Sequence, residues 1–98
     1  METYVLMTKL PPEAHQRMSD REQAGREWLE RVRDKCPEVR FIAHYALLGP
    51  YDFLDIYEAP DAETAAKVSL ISQSFGAVSA ESWTAIPWKK FLKLTGEI

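Results

Sequence analysis

Cysteine is nearly missing from this chain. The single residue, Cys36, leaves no partner for an internal disulfide and points to a reducing, cytoplasmic location. Long apolar runs are also missing. None exceeds about four residues, against the ~20 that a bilayer-spanning helix needs, so no membrane partner is expected. The start, Met1-Glu2-Thr3-Tyr4, lacks the basic and apolar segments of a secretory leader. Lys and Arg are not gathered on one face and the formal net charge is −3, which argues against nucleic acid, whose phosphates demand clustered cations. There is no His-x-x-x-His or Cys-x-x-Cys pair, no phosphate-binding glycine loop and no nucleophile elbow. No metal site is therefore expected, and the residues name no cofactor.

What is present suits one globular domain over residues 1–98. Hydrophobic residues make up 46% of the chain, enough for a core. A domain this small still buries a modest fraction of its surface, so a second subunit would add stability.

Tyr4 to Lys9 reads as a first strand, ended by Leu10-Pro11-Pro12 because proline removes ladder donors. A short helical turn is expected over Glu13–Met18. Ser19 and Glu22 match a capping box, which predicts a helix from there to Lys35-Cys36-Pro37. Ala24, Trp28, Leu29 and Val32 form its apolar stripe, with Glu22/Arg26 and Glu27/Arg31 pairs on the outer side. Val39–Leu48 and Phe53–Glu58 read as strands of a hairpin around Gly49-Pro50-Tyr51, where Gly49 is expected to need a positive φ. Asp61 is the expected N-cap of a second helix, and Gly76, just past Phe75, its left-handed C-terminal cap. Val78–Ile86 reads as a fourth strand and Trp88–Leu94 as a terminal helix.

The order strand–helix–strand–strand–helix–strand is the ferredoxin-like α+β pattern, a four-stranded antiparallel sheet with both helices on one face. The central strands have no polar side. Val5, Met7, Leu54 and Ile56 occupy one face, and Tyr4, Leu6, Thr8, Phe53, Asp55 and Tyr57 the other. We assign the aromatic set to the bare face. So large an apolar patch calls for a second copy packed sheet to sheet, a dimeric α/β barrel with an interior between the sheets.

Asp55 is then the sharpest candidate for chemistry. A carboxylate in an apolar interior must be paired or protonated, and its raised pKa suits a general acid or base; the plainer role is a structural hydrogen bond. If the hairpin pairs Leu48 with Asp52, Tyr45 lies opposite Asp55 and His44 points to the helices. With a turn one residue longer, His44 joins the Asp55 face. Candidate catalytic residues are thus Asp55 and His44. Candidate ligand-binding residues are Tyr4, Tyr45, Asp55, Tyr57 and Trp83, with Phe53 in the same wall and Tyr51 and Asp52 at the barrel mouth. Trp28 and Trp88 read as packing anchors, His15 as solvated and Cys36 as an inert thiol.

The blocks Tyr4–Leu10, Ala46–Asp52, Glu58–Asp61, Ala65–Leu70 and Ala85–Pro87, with Gly49, Tyr51 and Asp52 at the turn, resemble the GYD domain family. The resemblance implies a dimeric α/β barrel of bacterial or archaeal origin. It implies no reaction and assigns no catalytic residue. Three functions fit: binding of a small molecule in the barrel cavity, a small cofactor-independent enzyme of monooxygenase or isomerase type using Asp55 with His44 or Tyr45, and an oligomerisation module without ligand. The expected partners are the chain itself, as a homodimer or higher homo-oligomer, and a small-molecule ligand.

Overall fold

A computed structural model describes residues 1–98. Strand β1 (Glu2–Lys9) leads through two short 3-10 turns, Pro12–Gln16 and Met18–Asp20, into helix α1 (Arg21–Lys35). Strands β2 (Arg40–Ala46) and β3 (Phe53–Ala59) form the hairpin; helix α2 (Ala62–Ser74), strand β4 (Ser79–Ala85) and helix α3 (Trp88–Thr95) follow. The sheet order is β2-β3-β1-β4 and every pairing is antiparallel. This is the ferredoxin-like arrangement, with β1 and β3 central.

Local chemistry accounts for most element ends. Asp61 caps α2, its carboxylate accepting from the Thr64 amide at 2.8 Å. Gly76 closes α2 with a φ of 95°, a conformation costly for any residue with a Cβ. The start of α1 differs from expectation. The 3-10 turn ahead of it holds Asp20 in a helical conformation, no side chain caps the helix, and the Ser19/Glu22 box does not form. Glu22 pairs with Arg26 as expected, but Glu27 accepts from Gln23, and Arg31 lies over the Phe75 ring instead. Gly49 has no positive φ, and a Cβ there would meet nothing within 4 Å, so the turn does not require glycine.

The faces of the sheet are the reverse of the assignment made from sequence. Tyr4, Leu6 and Tyr57 are buried in one cluster with Val32 and Cys36 at α1 and Ala65 and Val68 of α2. The Tyr57 hydroxyl donates to the Ala65 carbonyl at 3.4 Å and meets the Ser82 hydroxyl at 2.7 Å, which in turn meets Ser69 of α2. The aromatic set therefore faces the helices. The buried stripe of α2 is Ala65, Val68 and Ser72, small side chains that leave room for large rings beneath them. Val5, Leu54 and Ile56 lie on the outer face with Ala43, Tyr45 and Trp83, and Met7 is the one buried apolar residue outside the core cluster.

Candidate functional site

The hairpin register decides which side chain meets Asp55. Strand β2 carries a bulge between Phe41 and Ala43, after which His44 stands opposite Asp55 and Ala46 opposite Phe53. The longer turn is the one that forms, closed by the Leu47 amide donating to the Asp52 carbonyl at 2.8 Å. The bulge lets Phe41 and His44, three residues apart, share the helix-facing side. There they stack at 5.1 Å between ring centres, and Trp28 of α1 packs on both.

His44 Nδ1 lies 2.6 Å from Asp55 Oδ1. Only 7% of Asp55 is exposed, and burial pushes its carboxyl above the ordinary 3.8 while the His44 hydrogen bond and charge pull it part of the way back. The His44 side chain is half exposed and its second ring nitrogen bonds to nothing in the protein. The pair thus joins a buried carboxyl to an accessible imidazole, an arrangement able to hold or relay a proton.

Both residues line a cavity of about 980 Å³ between the sheet, α1 and the 3-10 segment ahead of it. Met18, Trp28, Leu29 and Phe53 supply apolar wall. At the turn end, Asp52 accepts from the Leu10 amide at 2.7 Å and lies 3.2 Å from His15 Nε2. This cavity lies within a single chain, between sheet and helices, because the face expected to line an inter-sheet interior is the helix-covered one.

Of the residues singled out from sequence, His44, Asp52, Phe53 and Asp55 meet at this cavity. Tyr4 and Tyr57 lie deeper in the core, where burial pushes the Tyr57 hydroxyl up to about 12. Tyr45 and Trp83 stand exposed on the outer face. Tyr51 joins them, donating to Glu81 at 3.1 Å and meeting the Trp83 ring edge-on. His15, Arg21 and Trp28 are cavity residues that sequence reasoning did not single out for function. The stripe position of Trp28 was the one available signal. Cys36 is 1% exposed with its thiol pKa raised by burial, in keeping with an inert side chain. No three His, Cys, Asp or Glu side chains stand close enough to hold a metal ion.

The GYD domain family matches residues 4–95, almost the whole chain and every element just described. The protein belongs to the GYD domain family. Over 49 residues this GYD protein is 49% identical to a protein of Thermus thermophilus named glutamine synthetase and cystathionine beta-lyase binding protein. The aligned segment is 50% of this chain and 52% of that protein, so the match spans about half the length of the relative. No solved structure matches the chain. No helix of this GYD protein is long and apolar enough to cross a membrane.

Proposed function

We propose that this GYD-family protein binds a small molecule in the cavity between the sheet and α1, as a cytoplasmic homodimer joined through the outer sheet face. The observation that carries the ligand reading is the His44–Asp55 pair in the wall of a cavity of about 980 Å³. Large, mostly apolar hollows with a few convergent polar groups are where small ligands bind. The cavity argues for a ligand over a role in assembly alone. The dimer reading rests on the exposed apolar outer face, where Ile42, Tyr45 and Trp83 keep about half their surface in solvent.

Native mass spectrometry of the purified protein, with denaturing analysis of the same sample, tests both parts. A dimer or its multiple is expected, carrying an extra mass that is lost on denaturation. The Ala24→Trp variant, which puts an indole into the cavity, should lose that mass and stay dimeric. A monomer would refute the outer-face interface, and a retained mass in Ala24→Trp would refute the cavity as the site.

The raised pKa of Asp55 and its contact with His44 favour an enzyme as the second reading. In that case Asp55→Asn should still hold the compound recovered from the wild-type protein but no longer convert it. A binding role predicts no conversion by either form. The name of the Thermus relative suggests a third use, in which the outer face and the exposed apolar side of α3, with Trp88 and Phe91, receive another protein. Pull-down with purified glutamine synthetase and cystathionine beta-lyase, against Trp83→Ala and Phe91→Ala variants, tests it.

A further inference from the structure

The cavity holds an unequal set of charges. Three of its carboxylates have a partner within the protein: Asp55 has His44, Asp52 has the Leu10 amide and His15, and the exposed Glu22 has Arg26 at 3.0 Å. Arg21, in the first turn of α1, has none. Its Nε is shut off from solvent and is the one buried side-chain polar atom in the protein without a hydrogen-bond partner, and the residue lines the cavity. A guanidinium cannot shed its charge, so the cavity wall carries one cation that no carboxylate of the chain pairs with. The start of α1 adds to the deficit. Asp20 gives it no side-chain cap, and Arg21 is the first residue of that 15-residue helix, at its positive end.

Resting on the reading of the cavity as a ligand site, we propose that its ligand is an apolar molecule bearing a carboxylate, which pairs with the Arg21 guanidinium. A carboxylate matches the planar fork of a guanidinium with two parallel hydrogen bonds. Trp28, Leu29 and Phe53 take the apolar body. The half-exposed His44 ring offers its free nitrogen to a second polar group on the ligand.

The test compares two neutral-versus-charged probes of the same shape, 2-naphthamide and 2-naphthoate, by isothermal titration at neutral pH. The wild type, Arg21→Gln, Arg21→Lys and Ala24→Trp are each first shown to be folded by circular dichroism. The amide reports the cavity alone and should bind the wild type but not Ala24→Trp. The acid should bind the wild type roughly tenfold or more tightly than the amide, the size of one charge-assisted pair. Arg21→Gln should bring the two within about twofold, and Arg21→Lys should keep part of the preference because it holds the charge but not the fork. Equal binding of acid and amide to the wild type, or a preference that survives in Arg21→Gln, overturns the anion site and leaves the cavity reading standing. Binding of neither probe overturns both.

Discussion

On the side of the sheet toward the helices, Tyr4, Leu6 and Tyr57 lose nearly all contact with solvent. On the opposite side Ile42, Tyr45 and Trp83 keep 59%, 57% and 46% of theirs. Both sides are apolar, and the exposed one even carries a tryptophan. Hydrophobicity alone therefore did not choose which side the helices cover. The stripe of α2 offers a volume reason: its small residues leave room for the Tyr4 and Tyr57 rings beneath them. The helix side also opens into a cavity where α1 and the 3-10 segment stand away from the sheet, so the side that makes the core also makes the site.

The comparison breaks or holds on paired substitutions. Leu6→Glu puts a carboxylate at a fully buried position and should cost more than ~4 kcal/mol, abolishing the cooperative thermal transition. Ile56→Glu is the same change on the outer face. It should keep the wild-type circular dichroism spectrum and turn the proposed dimer into a monomer by light scattering. Exchange of these two outcomes would return the faces to the assignment made from sequence. Gly76→Ala strains the turn that lays α2 over the inner face and should cost about 1–2 kcal/mol in urea unfolding, with Gly49→Ala within about 0.5 kcal/mol of wild type. Tyr57→Phe removes the hydroxyl that ties β3 to Ser82 and α2, for about 1 kcal/mol, since Ser82 keeps Ser69.

The smallest effect concerns pH. With its carboxyl raised above 3.8 by burial, Asp55 binds a proton more tightly in the folded chain than in the unfolded one. Its contribution to stability is therefore full below 3.8 and declines as pH climbs through the raised value. Urea midpoints measured from about pH 3.5 to 7 should show that decline in the wild type, and Asp55→Asn should flatten it. An unchanged slope in the variant would assign the pH dependence to other groups.

The element order was legible because period-two and period-3.6 patterns survive in these residues. Asp61 and Gly76 marked their helix ends because a cap is local chemistry. The faces were not legible, since a strand such as Tyr4–Lys9 is apolar on both sides and only the partner's shape distinguishes them. The cap of α1 was misread because a 3-10 turn had already bent Asp20 into the helix. Asp55 and His44 stood out as titratable residues in apolar strands, but their contact depends on the length of the turn, which alternation cannot reveal. Arg21 and His15 reach the cavity from a segment more than twenty residues before His44, a proximity that no local pattern encodes.

The bulge at Ile42 lies on β2, an edge strand of the sheet. Upstream of it the pleat runs in one phase, downstream in the other. Were the strand to straighten with Phe41 still opposite Tyr57, Ala43 would come opposite Asp55 and His44 would turn outward, leaving the carboxyl alone in the wall. One unpaired residue on the rim of the fold thus lets Phe41 and His44 face the helices together.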